Sequence, residues 1–434
     1  MRLAALSLAA ALATGAAAAP AAAQTARCER GTPACTALEA LLAQSAVAAA
    51  MTQIERDNGR RLAELRRLTV IAAPPFGEAA RGRAFAALLV AAGADSVWTD
   101  AVGNVIALRR GVEGGRTLVF SGHLDTVFPG ETDLTMRERG DTLFAPGVGD
   151  DTRGLVVVWA ILDALERAGI ETRDDILFVG TVGEEGLGDL RGVKHLFGAG
   201  GHRIDAFISV DGSDDGRIVH QALGSVRYRV TVRGPGGHSW GAFGLANPAH
   251  ALGRAIREFD DAAARFTASG ARTSYNVGRI GGGTSVNSIP FEAWMEVDLR
   301  SESQTRLASI DMVLRSAVER GVADENEARR TGDPLIVELE KVGDRPSGET
   351  PRDAPLVLAA TAVTQHFGLD PALQRSSTDS NIPISRGIPA ITIGGGGRSG
   401  NAHSLDEWWA NMDEARGVQR ALLIVLLEAG LARR

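Results

Sequence analysis

The chain predicts an α/β fold: a mixed, mostly parallel sheet flanked by helices, interrupted by an inserted α+β unit. Three observations carry this. Four short apolar runs end directly in polar or acidic residues: Thr117–Asp125 (TLVFSGHLD), Asp175–Glu185 (DILFVGTVGEE), Ile204–Gly212 (IDAFISVDG) and Pro389–Gly397 (PAITIGGGG). Helical patterns separate them, as at Gly154–Ala168 and Pro355–Phe367. The middle of the chain instead alternates strictly between apolar and polar residues.

Apolar runs bounded by glycine read as strands buried on both faces. Strands alternating with helices imply a layered α/β domain, in which ligands sit beyond the carboxyl ends of the strands. The polar clusters that close these runs therefore fall where a site belongs. In SVRYRVTVRG, Val226, Tyr228, Val230 and Val232 face one way and Arg227, Arg229, Thr231 and Arg233 the other, and AWMEVDLRS repeats the pattern through Ala293, Met295, Val297 and Leu299. Such strands have one wet face, as in an antiparallel sheet. Asn247-Pro248 signals the start of one helix, and Gly321 the stop of a second. The expected division is a targeting segment at 1–23, the α/β domain at 24–219 and 331–434, and the insertion at 220–330. No internal repeat is present.

Among 434 residues there are 46 Lys plus Arg against 53 Asp plus Glu, for a net charge of −7. An acidic balance of this kind argues against a general nucleic-acid binder. Lysine occurs only at Lys194 and Lys341, and cysteine only at Cys28 and Cys35. Schiff-base chemistry would rest on one of two lysines, and a four-cysteine zinc site is impossible. No GxSxG elbow supports a serine hydrolase. Carboxylates and a few of the eight histidines remain to carry the chemistry.

Arg2 followed by an alanine-rich run and AAPAAAQ reads as an export signal cleaved after Ala23, placing the mature protein in the periplasm or outside the cell with no membrane anchor. Cys28 and Cys35 then suit a local disulfide, with two free buried thiols as the alternative.

Each polar cluster is ambiguous alone. His123 and Asp125, two apart at a strand end, point to the same side; they suit a metal ligand with a supporting carboxylate, or simply a capped turn. Asp150 and Asp151 are adjacent in a glycine-rich loop before an apolar helix. An N-cap accounts for one aspartate there but not for two, and adjacent acids repel unless a cation compensates them. Glu184 and Glu185 offer a metal ligand beside a free general base, or a solvated turn. Asp211 ends a third strand, and His403 follows the glycine run Gly394–Gly397, itself a site wall or a plain turn. Together they supply two histidines and several carboxylates, enough for two metal ions sharing a bridging carboxylate. His195, His202, His220, His250 and His366 have no partner pattern.

SGHLDTV, GVGDD, GEEG, VDG and the late AHS resemble, in order, the zinc exopeptidase and deacylase family that includes glutamate carboxypeptidase, tripeptidase T, succinyl-diaminopimelate desuccinylase, acetylornithine deacetylase and aminoacylase. The resemblance implies two Zn2+ per subunit, with Co2+ or Mn2+ as substitutes. It makes Asp150 the bridge, His123 and Asp211 the other ligands of one ion, and Glu185 and His403 those of the second. Asp125 would orient His123, and Glu184 would be the catalytic base on the metal-activated water. GPGGHS matches the motif in which His238 reaches the partner subunit's site and stabilises the oxyanion; the insertion would be a lid through which two copies dimerise. SVNSIP and VDLRS match a substrate-binding asparagine and arginine, Asn287 and Arg300, the latter a fork for a substrate carboxylate or else a solvated strand end. DDTRG departs from the shorter D-x-K-G of many relatives and leaves Asp150 and Asp151 competing as bridge. VDG follows the tripeptidase-like branch. The implied activity is hydrolysis of short peptides by an exopeptidase, with N-acyl amino acid deacylation as the alternative on the same scaffold and a non-catalytic peptide or metal binder as the contrasting class.

Overall fold

The computed structural model describes residues 28–29, 31–198 and 201–432. The export signal expected at 1–23 lies outside the described residues. Cys28 and Cys35 form a disulfide. Among the described residues, no single helix is long and apolar enough to cross a membrane.

The centre is a nine-stranded mixed sheet. Its middle is parallel and made of the four apolar runs, in the order Asp175–Thr181, Thr117–His123, Ala206–Val210, Ala390–Ile393. Val105–Arg109 and Ser96–Thr99 extend one side antiparallel. Arg217–Ala222 extends the other, carrying Gly348–Glu349 and Ala372–Ser376. Alternate residues of a central strand enter different cores: Leu118 and Phe120 pack with the helices Arg153–Arg167 and Glu414–Ala429, whereas Val119 joins Phe207 and Val193 on the opposite face. Both faces are covered, which is why these strands are continuously apolar.

The insertion has its own core of Val226, Tyr228, Val230, Val297, Phe259, Leu314 and neighbours. Four antiparallel strands, in the order Thr273–Gly282, Glu292–Ser301, Gly224–Arg233, Ile336–Arg345, carry the helices Pro248–Thr267 and Gln304–Ala328 on one face. Two expectations need correction. The strand Ile336–Arg345 pairs with Gly224–Arg233, so the insertion's sheet continues past residue 330. Gly321 does not stop the second helix, which runs through it. A Cβ at Gly321 would lie 2.5 Å from the main-chain nitrogen of Ala255 on the facing helix, so this glycine permits close helix packing.

Candidate metal centre and catalytic cleft

The carboxyl ends of the parallel strands converge on one point. His123 is the last residue of its strand, and its Nε2 lies 3.0 Å from Oδ1 of Asp150. Oδ2 of the same carboxylate is 3.2 Å from Nε2 of His403, which is also 3.0 Å from Oε1 of Glu185. Asp150 thus lies between two imidazoles, one oxygen facing each. Ligand atoms of His123, Asp150 and Glu185 all lie within 4.8 Å of one another. Imidazole nitrogens and carboxylate oxygens at this spacing fit a divalent ion with ligand distances of about 2.0–2.2 Å after small adjustments.

The neighbouring aspartates separate cleanly. Asp151 is fully buried; its Oδ2 accepts from the main-chain nitrogen of His123 and its Oδ1 from that of Gly154, both at 3.0 Å. It fastens the start of the helix Arg153–Arg167 to the His123 strand, while Asp150 faces the site. The Asp150–Asp151 peptide is cis.

Asp125 serves two neighbours. Nδ1 of His123 is 3.0 Å from its main-chain carbonyl and 3.7 Å from its Oδ1. The carboxylate accepts chiefly from the main-chain nitrogens of Glu184 at 3.0 Å and Glu185 at 2.8 Å. It therefore holds the GEEG turn in place as well as standing beside the histidine.

Charge in the cluster is strongly mutual. The carboxylates of Asp150 and Glu185 push the His403 imidazolium up to about 10. Burial favours a protonated Asp150, but the two imidazoles outweigh it and hold this carboxyl far below the usual range. Burial, reinforced by Glu185, pushes Glu184 well above the usual range against the opposing guanidinium of Arg345.

A cleft of about 520 Å³ opens over these groups, lined by Asp150, Glu184, Glu185, Asp211, Arg300 and His403. Asp211 stands in the cleft wall with its Oδ1 3.5 Å from Nη1 of Arg217, outside the tight group of His123, Asp150 and Glu185. Arg300 donates from Nε to Asp298 at 2.7 Å, and among the described residues its terminal nitrogens make no hydrogen bond. His238 and Asn287 are not brought to this cleft within one chain. They lie beside each other on the insertion, both exposed: Ser239 donates its main-chain nitrogen to the Asn287 carbonyl at 2.9 Å, and His238 pairs with Ser288.

Sequence reasoning passed over Glu407 and Arg345. Glu407 accepts from the main-chain nitrogens of Gly147, Gly149 and Asp150 at 2.8, 2.8 and 3.0 Å, shaping the loop that presents Asp150. Its signal was at hand, four residues after His403 in the same AHSLDE run. Arg345 donates to both the carboxylate and the carbonyl of Glu184 but belongs to no local motif. The glycine run packs as a wall: a Cβ at Gly394 would lie 2.1 Å from the carbonyl oxygen of Asp214.

Residues 119–426 match the profile of peptidase family M20/M25/M40. The chain is 27% identical to succinyl-diaminopimelate desuccinylase of Paracoccus denitrificans over 330 residues, 71% of this chain and 82% of that protein. It is 26% identical over 312 residues to the uncharacterized protein YqjE of Bacillus subtilis, 67% of this chain and 76% of the other. Among solved structures, aminopeptidase PepT of Bacillus cereus superposes with a TM-score of 0.67 at 20% identity, covering 86% of this chain and 99% of that one. The dipeptidase Dug1p of Saccharomyces cerevisiae gives 0.69 at 14% identity, covering 88% and 98%. These two likenesses show the shared fold.

Proposed function

We propose that this chain, which belongs to peptidase family M20/M25/M40, is a dinuclear zinc exopeptidase that hydrolyses amide bonds of short peptides. The observation that carries the reading is the Asp150 carboxylate set between the imidazoles of His123 and His403, with Glu185 on the same histidine and Glu184 adjacent. His123, Asp150 and Asp211 would hold one ion, and Asp150, Glu185 and His403 the other. Bound there, divalent ions would polarise the scissile carbonyl and lower the pKa of water.

The chain's own residues supply the rest. Glu184 takes the proton of the attacking water and returns it to the leaving amine, a role favoured by a carboxyl that burial has made more basic. The terminal nitrogens of Arg300 present a fork to a free substrate carboxylate in the same cleft. His238 would serve as an oxyanion donor in a second copy's cleft, since in its own chain it stands exposed beside Trp240, Phe243 and Val286, which are 88%, 71% and 103% exposed. Dimerisation through the inserted lid accounts for that apolar surface. Export is supported by the targeting pattern before Ala23 and by the Cys28–Cys35 disulfide, a bond favoured in oxidising compartments.

A second reading, deacylation of an N-acyl amino acid, is favoured by the succinyl-diaminopimelate desuccinylases among the relatives. Both readings break an amide bond. A panel of dipeptides, tripeptides and N-acyl amino acids, assayed with the protein loaded with Zn2+, Co2+ or Mn2+, separates them. Turnover of peptides with a free carboxylate supports the exopeptidase. Stoichiometric metal and tight peptide binding without any hydrolysis would mark a non-catalytic binder and overturn the proposal.

A further inference from the structure

The turn that carries Glu184 is gripped by the inserted lid at three points. Arg345, the last residue of the lid strand Ile336–Arg345, donates from Nη1 to Oε1 of Glu184 at 3.2 Å and from Nη2 to its carbonyl oxygen. Asp344, one residue earlier, donates its main-chain nitrogen to Oδ1 of Asp189 at 2.9 Å. Arg227, on the lid strand Gly224–Arg233, donates from Nη1 to the Gly186 carbonyl at 2.9 Å. These are the two strands by which the chain enters the lid and leaves it. The opposite side of the turn is anchored to the catalytic sheet through Asp125, which accepts the main-chain nitrogens of Glu184 and Glu185.

We propose that Arg345, assisted by Arg227, is a positioning residue that sets the catalytic geometry of Glu184 and ties it to the placement of the lid. The proposal rests on Glu184 acting as the base. Three features of Arg345 carry it. Its side chain is almost fully buried, and it is the sole hydrogen-bond donor to the Glu184 carboxylate among the described residues. It holds that carboxylate and the carbonyl of the same residue with separate nitrogens, which fixes an orientation as well as a charge. A third contact, from Nη1 to Oγ of Ser377 at 3.1 Å, fastens the guanidinium to the catalytic layer, so the arginine spans both units. A shift of the lid strand that moved this fork by an ångström would swing the Glu184 carboxylate, a scale of misplacement that costs about 10²-fold in rate.

The alternative is that Arg345 only balances buried carboxylates. Arg345→Lys separates the two, because lysine keeps the charge and loses the fork. In the metal-loaded full-length protein, Arg345→Lys should lower kcat by roughly 10- to 100-fold with KM within about threefold, and with metal stoichiometry unchanged. In a Glu184→Gln background the same change should alter the residual rate by less than about threefold, since a residue acting through Glu184 has nothing left to position. Wild-type kcat in a folded, metal-loaded Arg345→Lys protein overturns the inference, as does a full additional loss in the Glu184→Gln background. If Arg345→Lys does not fold, Arg227→Ala, at a partly exposed position, removes the donor to the Gly186 carbonyl: a fall in kcat at constant KM supports the grip, and unchanged kcat overturns it. Near-normal turnover by Glu184→Gln alone would instead overturn the assignment of the base, a distinguishable failure.

Discussion

Two adjacent residues of identical chemistry, Asp150 and Asp151, take opposite roles here, and the difference is only which way each carboxylate faces. The sequence shows that two acids occupy the loop but not which one the backbone turns toward the histidines; the main-chain nitrogens of His123 and Gly154 donate to Asp151, and Asp150 is the one left facing the imidazoles. The contrast is testable. Asp151→Ala leaves two buried main-chain donors unpartnered and should lower unfolding stability by about 1–3 kcal/mol in a urea titration of metal-free protein. Asp150→Asn leaves every main-chain donor satisfied and instead takes a charge from between the imidazoles of His123 and His403; its distinguishing effect should be a fall in metal content measured by elemental analysis, which Asp151→Ala in its folded fraction should not share. An equal fall in metal content for both folded variants would contradict the division of labour. Glu184→Gln completes the residue scale. On the proposed reading of Glu184 as the base, it should lower kcat by about 10²- to 10⁴-fold with metal content intact.

At the scale of elements, the four parallel strands were readable because burial on both faces leaves an unbroken apolar run, whereas Ile336–Arg345 was not. As an edge strand of the lid sheet it alternates exposed and half-buried residues, and Ile336 itself is 71% exposed. Arg345 was hidden for a related reason: it acts across a tertiary contact that no local spacing announces, whereas Glu407 stood four residues after His403 and only its partners, the main-chain nitrogens of the Asp150 loop, were out of view. A further contact of this kind fastens the helix behind the Asp150 loop. Arg153, its first residue, donates to Glu414 at 2.9 Å and stacks over Trp409, while Arg61 also donates to Glu414, all three charged groups being buried. Glu414→Ala leaves two buried guanidinium groups uncompensated and should cost about 3–5 kcal/mol. Burial favours the protonated Glu414 carboxyl, but Arg153 and Arg61 outweigh it and hold its pKa below the ordinary 4.5. The depressed folded value sets the sign. The stabilisation is present above pH 4.5 and is lost as pH falls through the folded pKa. Melting temperature should therefore drop below pH 4.5 in the wild type and respond less steeply in Glu414→Gln; parallel profiles would remove Glu414 from the acid response.

For the whole molecule, the decisive fact is that one chain does not assemble all the residues its motifs imply. Asp150, Glu184, Glu185 and His403 line one cleft with His123 buried against Asp150, yet His238 and Asn287 sit exposed on the lid away from it. A two-fold dimer through the lid would let each copy lend His238 to the other, because a symmetric interface places the same surface on both partners. The consequence can be read by mixing two inactive proteins. Glu184→Gln lacks the base but keeps a His238 to lend, while His238→Ala keeps the base and needs a donated histidine. Each homodimer should be nearly inactive with normal metal content. A heterodimer formed by mixing and subunit exchange contains one cleft with an intact Glu184 facing an intact His238, so activity should reappear in the mixture and vanish when exchange is blocked by cross-linking the homodimers first. If exchange is demonstrated and no activity returns, His238 does not act across the interface, and its loss would have to be explained within its own chain.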